Sequence, residues 1–319
     1  LARSDAPPCR DPVADVRRSL RDPIGCLPLA ELVRRQRKPG RTGRAVVVVS
    51  DLTRPVPYTG PAGILCPVLD GLRREHGAET TSLVATGTHR PMQPPELRRL
   101  LPPEAFQAGV RVVNHDATDD SALVHIGATV RGGAAWVNRV YMEADVKILT
   151  GLVEPHFMAG FSGGRKSICP GLIGLAGTHV FHGPAMMLDP RADSLILEGN
   201  PCHEEALDIA RMAGCDFILN VAMDRHRRVT GVYGGDMEAA HQMACAEVGQ
   251  ANAIRIRNAY DVVLTHAGVG GINHYQAAKA ACEASKAVKP GGRMVIAANH
   301  TDVDPVGGES YRRVLPLLR

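Results

Sequence analysis

Apolar runs of strand length alternate with segments of helical periodicity along the chain, and this alternation limits the fold more than any other feature. The β-branched run at residues 45–50 is followed by helical spacing over 61–76, and a second run at 80–85 is followed by a helical segment at 94–101. Strands that alternate with helices usually form a mostly parallel sheet with helices on both faces. We therefore predict an α/β fold.

The alternation continues and then restarts near Asn258. Further elements of the first part are strands predicted at residues 110–114, 145–149, 216–221 and 229–232 and helices predicted at 13–20, 29–36, 203–212 and 236–252. The second part has strands predicted at 261–265 and 293–297 and helices predicted at 275–288 and 309–318. We predict two α/β domains, residues 1–255 and 256–319, and expect the second to be incomplete because it is small. The chain opens at Leu1 rather than Met, so we also expect a clipped N-terminus.

The composition excludes several classes of protein. The 319 residues are 45% apolar and 22% charged, which is enough to bury a core and excludes a disordered chain. The net charge is only +4 and aromatic residues make up 4%, so nucleic acid is not an expected partner. No apolar run approaches the roughly 20 residues that cross a membrane. Eight scattered cysteines without a Cys-x-x-Cys pattern predict reduced, mostly buried thiols in a cytoplasmic protein.

Polar residues follow two of the predicted strands. Residues 50–57 read SDLTRPVP, which places Asp51, Thr53 and Arg54 after the first strand. Residues 85–90 read ATGTHR, which places His89 after the second. Open α/β sheets bind ligands at the carboxyl ends of their strands. Each motif is also compatible with an ordinary turn, in which Arg54 pairs with Asp51 or His89 forms a hydrogen bond within its own turn.

The third junction is the most specific. Residues 154–171 read EPHFMAGFSGGRKSICPG, and Ser162, Gly163 and Gly164 can present consecutive backbone N–H groups to an anion such as phosphate. The spacing is similar to that of a nucleotide-binding P-loop, but Arg165 stands where the motif needs glycine, and no acidic strand end is evident as a magnesium partner. The sequence therefore disfavours a nucleotide hydrolase.

Two further patterns allow more than one interpretation. His179 and His182 are three residues apart on a predicted helix, a spacing that suits either a shared metal or a histidine patch at the surface. Residues 268–271 read GVGG, but Asn273 replaces the third glycine of a dinucleotide fingerprint and no acidic residue follows at the ribose distance. The sequence thus disfavours NAD binding at this position.

Together these motifs resemble the nickel-pincer-dependent lactate racemase family, that is, the LarA-type 2-hydroxyacid racemases and epimerases. The resemblance extends over residues 22–297. It rests on four segments in matching order and spacing, namely DxTRPxP at 51–57, GTHR at 87–90, PHxxxGxSGGxK at 155–166 with PG at 170–171, and YQxxK at 275–279. It implies two α/β domains with the active site in the cleft between them.

The resemblance implies a cofactor. This is the nickel-pincer nucleotide, pyridinium-3-thioamide-5-thiocarboxylic acid mononucleotide with Ni(II), attached covalently to Lys166. His182 matches the nickel ligand of the family, which leaves His179 without a role. Sulfur and imidazole donors in a planar arrangement suit Ni(II). The expected contacts of the nucleotide and its phosphate are Asp51, Thr53, Ser162, Gly163 and Gly164.

The resemblance also implies the reaction. A lactate-like or longer 2-hydroxy acid loses a hydride and regains it on either face, and the two acid–base histidines of the family match His89 and His156. Imidazole suits this role because its pKa lies near neutrality. Arg54 would polarise the substrate oxygen and hold the carboxylate in bidentate fashion. Gln276 and Lys279 would contact the same carboxylate from the second domain.

The sequence leaves part of the function open. Nothing after Ala297 matches the family pattern, so the residues that wall the substrate from that side are unassigned. A pincer-binding protein with little racemase activity is therefore a second hypothesis beside the enzyme. Either protein would need the accessory proteins that synthesise the cofactor as partners. The sequence determines neither the particular 2-hydroxy acid nor the oligomeric state.

Overall fold

The computed structural model describes residues 6–36, 43–76, 79–302, 308–314 and 316. Its internal contacts divide the chain into two compact units, one within residues 4–251 and one that begins at Asn252. Across the described part of the chain, none of the helices combines the length and the apolar character needed to cross a membrane. The eight cysteines all lie within the described ranges, and none of them forms a disulfide there. Three of the eight are buried, so the prediction of mostly buried thiols is wrong.

The elements of the larger unit follow the alternation in the sequence. Its strands are β1 (Arg44–Ser50), β2 (Glu79–Ala85), β3 (Val110–Asn114), β4 (Leu123–Ala128), β5 (Ala134–Asn138), β6 (Val146–Leu152), β7 (Pro155–His156), β8 (Gly160–Phe161), β9 (Phe217–Met223) and β10 (Val229–Gly235). The helices up to residue 252 are α1 (Pro12–Arg21), α2 (Leu29–Arg35), α3 (Leu65–His76), α4 (Pro94–Leu100), α5 (Arg139–Met142), α6 (Leu175–Phe181), α7 (Pro184–Met187), α8 (Pro201–Ala213) and α9 (Met237–Asn252). Short 3₁₀ helices lie at Pro103–Phe106, Asp120–Ala122 and Gly164–Ser167. The strands and helices predicted here are all present, some with shifted ends, whereas the hairpin β4–β5 and the short elements β7, β8, α5 and α7 were not predicted.

Within the described residues, six strands form the central sheet in the order β10-β9-β6-β1-β2-β3. Neighbouring strands are parallel except for β9 and β10. Along the chain, β2 and β3 are added to the sheet on one side of β1, and β6 and β9 are then added on its other side. The strand order therefore reverses between β1 and β6, which is the place where open α/β sheets bind ligands. The mostly parallel α/β fold predicted from the sequence is confirmed.

Strand β1 shows why the apolar runs predicted the sheet. Residues 45–49 are all buried. Val47 and Val49 pack into the core on one face of the sheet, and Val46 and Val48 pack into the core on the other. A strand that is covered on both faces needs an unbroken apolar run, and each valine buried in this way contributes about 1.5–3 kcal/mol to stability.

The smaller unit, in its described residues, has two parallel strands and two helices. These are β11 (Tyr260–His266), α10 (His274–Ser285), β12 (Val288–Ala297) and α11 (Gly308–Val314), with a 3₁₀ helix at Gly268–Ile272. The order of elements agrees with the sequence prediction. The helix predicted over residues 309–318 is described from 308 to 314, because residues 315 and 317–319 lie outside the described ranges.

Candidate active site at the carboxyl ends of β1, β2 and β6

The turn after β1 is a closed hydrogen-bond network around Asp51. The Oδ1 atom of Asp51 accepts hydrogen bonds from the backbone N–H of Thr53 at 3.0 Å and from its hydroxyl at 2.5 Å. This Asx turn reverses the chain directly beyond the strand. The hydroxyl of buried Tyr58 accepts a hydrogen bond from the Ser50 N–H at 2.6 Å and ties the following segment to the sheet. The turn is therefore held from both of its ends.

The turn after β2 is fixed at Gly87. This residue has a φ of +56°, and its N–H donates to the Gly171 carbonyl at 3.0 Å. A Cβ atom here would lie 3.3 Å from the Pro170 carbonyl oxygen, so both the backbone conformation and the close approach favour glycine. The backbone N–H of His89 then donates to the Thr86 carbonyl at 2.9 Å. These bonds set the position from which His89 projects.

Asp51 and His89 form a hydrogen-bonded pair between the two turns. Asp51 Oδ2 lies 2.6 Å from His89 Nδ1, and Asp51 is only 5% exposed. Burial acts to raise the pKa of this carboxyl, but hydrogen bonds from His89 and Thr53 outweigh it and hold the pKa below its ordinary value. The sequence left open a pairing of Asp51 with Arg54. Instead Arg54 donates a long hydrogen bond, 3.4 Å, to the Thr53 carbonyl, and the partner of the carboxylate is His89.

His156 lies in the hairpin β7–β8 that follows β6. The residue is 8% exposed, and its Nδ1 accepts hydrogen bonds from the N–H groups of Met158 at 3.4 Å and Ala159 at 3.3 Å. The ring of Phe157 stacks on the imidazole with the centroids 5.0 Å apart. Backbone amides therefore hold His156 at the same ring atom that a carboxylate holds in His89.

The expected phosphate nest uses two of its amides inside the protein. The Ser162 N–H donates to the Glu154 carbonyl at 2.9 Å, and the Gly164 N–H donates to Asn220 Oδ1 at 2.8 Å. A Cβ atom on Gly163 would lie 2.7 Å from the same Asn220 Oδ1, so this glycine permits the close packing. A phosphate placed here would need donors other than these two amides.

Arg165, which the sequence showed only as a mismatch to the P-loop, anchors the lysine loop, residues 160–167. Its guanidinium is buried, donates to the carbonyls of Ala159 at 2.7 Å and Phe161 at 3.0 Å, and lies 2.9 Å from His241 Nε2. Burial lowers the pKa of Arg165 to about 10 and lowers the pKa of His241 well below its ordinary value. Sequence reasoning missed Arg165 and His241, because they are 76 positions apart and no local pattern joins them.

Lys166 and His182 contact the same aromatic ring. The Lys166 ammonium lies 5.0 Å from the centroid of the buried Phe181 ring, and the imidazole of His182 meets this ring edge-on at 5.1 Å between centroids. Helix α6 ends at Phe181, so His182 is its half-buried C-cap residue, whereas His179 is exposed on the last turn. The structure thus separates the environments of the two histidines and places His182 against the same aromatic ring as Lys166.

Backbone hydrogen bonds connect the lysine loop to the His89 turn. The Gly171 N–H donates to the Lys166 carbonyl at 3.3 Å, and the Gly171 carbonyl accepts from Gly87. A Cβ atom on Gly171 would lie 2.4 Å from the Ser167 carbonyl oxygen and 2.9 Å from the Ala85 Cβ, so only glycine fits. The turns after β1 and β2 and the loop after β6 therefore form one connected assembly.

The remaining predicted site residues lie in the smaller unit. Lys279 Nζ donates a hydrogen bond to Gln276 Oε1 at 2.6 Å, one helical turn apart on α10. Asn273 caps this helix, because its Oδ1 accepts the Gln276 N–H at 2.9 Å. The two side chains predicted to bind a carboxylate are thus adjacent to each other.

The described residues contain no group of three or more His, Cys, Asp or Glu side chains that could hold a metal ion.

Comparison with known proteins assigns the family. Residues 1–194 match the family model described as the lactate racemase N-terminal domain. The chain belongs to the lactate racemase family. The resemblance inferred from the four sequence motifs is confirmed.

Two lactate racemases illustrate the relationship. The lactate racemase of Lactiplantibacillus plantarum is 36% identical to this family member over 301 residues, and that of Thermoanaerobacterium thermosaccharolyticum is 33% identical over 302 residues. Each alignment covers 93% of this chain and 68% of the relative.

Solved structures agree with this assignment. The lactate racemase apoprotein of T. thermosaccharolyticum matches with a TM-score of 0.86 at 32% identity, over 98% of this chain and 72% of that one. A protein from Thermotoga maritima matches with a TM-score of 0.62 at 22% identity, over 82% of this chain and 67% of that one, which supports the fold alone. The architecture is therefore that of the lactate racemase family.

Proposed function

We propose that this lactate racemase family member is an isomerase that racemises or epimerises a 2-hydroxy acid with the help of a nickel-pincer nucleotide. The observation that carries the proposal is the connected assembly of the Asp51–His89 pair and the lysine loop where the strand order reverses. Family membership supports the reaction class, because the curated relatives are named lactate racemases.

The residues around Lys166 fit this cofactor. Lys166 offers an amine for attachment, and His182 offers an imidazole beside the same Phe181 ring. A group that brings its own sulfur donors suits the site, because sulfur together with the imidazole of His182 is a donor set that Ni(II) accepts. When bound, this group supplies the hydride acceptor and donor that the reaction needs and that protein side chains lack.

The residues of the chain handle the proton and the carboxylate. His89 and His156 exchange the hydroxyl proton of the substrate, since an imidazole accepts and returns a proton near neutral pH. Arg54 binds the carboxylate, because a planar guanidinium matches its two oxygens. We assign Gln276 and Lys279 to carboxylate binding as well, because their mutual hydrogen bond holds an amide and an ammonium side by side on α10.

Intact mass spectrometry of protein co-expressed with the cofactor-biosynthesis proteins tests the proposal. We expect a covalent mass increment that matches the pincer nucleotide, together with racemisation of a single lactate enantiomer. Lys166→Ala should lose both the increment and the activity while circular dichroism shows a retained fold. The matched control Lys286→Ala, which changes a lysine paired with Glu283, should keep both. Full activity in Lys166→Ala would overturn the assignment.

The same samples, analysed for nickel, separate the two histidines of the α6 end. His182→Ala should lose nickel but keep the tethered organic group, whereas His179→Ala should keep both. An increment without racemisation of any 2-hydroxy acid tested would favour a cofactor-binding protein with little activity. Nucleotide hydrolysis without an increment would favour the nucleotide hydrolase that the P-loop-like spacing suggests and the sequence disfavours.

A further inference from the structure

The contacts of His89 define where its ring proton lies. Its Nδ1 is 2.6 Å from Asp51 Oδ2, and the pKa of Asp51 is held below its ordinary value, so this carboxyl is ionised. An ionised carboxylate only accepts hydrogen bonds, so Nδ1 must carry the hydrogen. In the neutral imidazole Nε2 is then bare and can accept a proton.

The contacts of His156 define the opposite arrangement. Its Nδ1 lies 3.4 Å from the Met158 nitrogen and 3.3 Å from the Ala159 nitrogen, and both N–H groups donate to it. A backbone N–H only donates, so Nδ1 of His156 must be bare. The hydrogen of the neutral ring is then on Nε2.

We propose that the two imidazoles are held in opposite tautomers before substrate binds, with His89 ready to accept a proton at Nε2 and His156 ready to donate a hydrogen bond from Nε2. Asp51, predicted from the sequence as a cofactor contact, is in this proposal the positioning residue that sets the tautomer of His89. The role of the two tautomers in catalysis rests on the proposed function, whereas the tautomers themselves follow from hydrogen-bond geometry.

The arrangement makes the two histidines unequal at the start of turnover. His89 can take the hydroxyl proton of the enantiomer that faces it without any rearrangement. For His156 to act as a base, Nε2 must release its proton while Nδ1 takes one up, and the contacts with Met158 and Ala159 must open. Both contacts are long, so their loss costs little compared with that of a short hydrogen bond.

The turn at Asp51 provides a variant that reverses one tautomer. Thr53 donates two hydrogen bonds to Oδ1, so in Asp51→Asn the amide oxygen must occupy that position. The amide NH₂ group then faces His89 Nδ1 in place of Oδ2. Because that group donates, Nδ1 must become bare and the proton must move to Nε2.

NMR spectroscopy of the full chain labelled with [15N]histidine tests the proposal without any cofactor. Long-range 1H–15N correlation distinguishes protonated from bare ring nitrogens. Spectra of His89→Gln and His156→Gln identify the two rings among the thirteen histidines. We expect protonated Nδ1 in His89 and protonated Nε2 in His156, with Asp51→Asn reversing only His89. The matched control is Asp116→Asn, because Thr118 forms the same turn around Asp116, and it should change neither ring.

Two outcomes would overturn the proposal. One is the same tautomer in both rings of the unmodified chain, a measurement that needs no variant to fold. The other is an unchanged His89 in folded Asp51→Asn. In the holoenzyme we expect Asp51→Asn to lower kcat by about 10²–10⁴-fold, the scale of a wrong histidine tautomer or a lost acid–base group, with a small change in KM. If the tautomers are as expected but no racemisation is found, the proposed function fails and the hydrogen-bond assignment stands.

Discussion

Two turns at the carboxyl ends of strands in the central sheet share one local structure and differ in their surroundings. Asp51 after β1 and Asp116 after β3 each accept, through Oδ1, the N–H and hydroxyl of the threonine two residues further on. Asp51 is buried, follows a strand at the reversal of the sheet and pairs with His89. Asp116 is exposed and follows the edge strand.

A histidine stands beside each turn, and the two histidines differ as well. His115, next to Asp116, is buried, donates from Nε2 to the Ile173 carbonyl at 3.0 Å and accepts the Asn138 amide at Nδ1, also at 3.0 Å. Burial lowers its pKa. His89 is partly exposed beside its carboxylate. An Asp-x-Thr turn therefore does not by itself indicate a functional site, because its position in the strand order determines which side chains it can contact.

Replacing each histidine by alanine should separate catalysis from stability. His89→Ala should lower kcat/KM for both enantiomers by the same factor, at least about 100, because the equilibrium constant between them is fixed. His115→Ala should lower the free energy of unfolding by about 2–4 kcal/mol, because it leaves a cavity and unpaired polar groups, while folded protein keeps its kcat. Chiral chromatography and urea denaturation measure the two effects. Equal activity losses in both folded variants would contradict the assignment of His89 to catalysis and His115 to stability.

Acid should destabilise the chain through both Asp51 and Asp116. Hydrogen bonds lower the pKa of both carboxyls, at Asp51 against the effect of burial. A lowered pKa contributes stability that is present above the ordinary value of about 3.8 and is lost as the pH falls through the folded-state pKa. We expect Asp51→Asn and Asp116→Asn each to flatten the decline of unfolding free energy below about pH 4, as measured by urea denaturation at several pH values. An unchanged decline in either folded variant would contradict this expectation.

Removing the threonine hydroxyl from either turn should have the smallest effect on stability, and the effect should differ between the two turns. Thr53→Val removes a hydrogen bond to a buried carboxylate and should lower the free energy of unfolding by about 1–2 kcal/mol. Thr118→Val removes the equivalent bond at the surface and should cost about 0.5 kcal/mol or less. Chemical denaturation of both variants measures these losses in the free energy of unfolding. Equal losses would show that burial does not strengthen the Asp51 turn.

Much of the fold could be predicted because its cause is local. Residues 45–49 are apolar without interruption, since a strand buried on both faces requires it. The hairpin β4–β5 lacks such a run and contains His125 and Gly127, so no pattern predicted it. Asp51 and His89 were chosen because each follows a strand, but their pairing depends on Ser50 lying beside Ala85 in the sheet register.

The glycines of the lysine loop show why the rest could not be predicted. In the sequence, Gly163 and Gly164 indicate a phosphate nest, because consecutive small residues expose backbone amides. In the structure, a Cβ atom on Gly163 would meet Asn220 and one on Gly164 would meet the His241 ring at 2.8 Å. Both partners come from distant segments, so the sequence showed the glycines but not the neighbours that require them.

Gly171 joins two hydrogen bonds through its own backbone, since its N–H donates to the Lys166 carbonyl and its carbonyl accepts from Gly87. From the Lys166 carbonyl to the Gly87 N–H, the path runs only through backbone atoms. Backbone bond lengths are nearly fixed, whereas a side chain can adopt several rotamers. The distance between the backbone of Lys166 and the turn that carries His89 is therefore set by main-chain atoms alone, and substitution of the side chains around them can leave that distance unchanged.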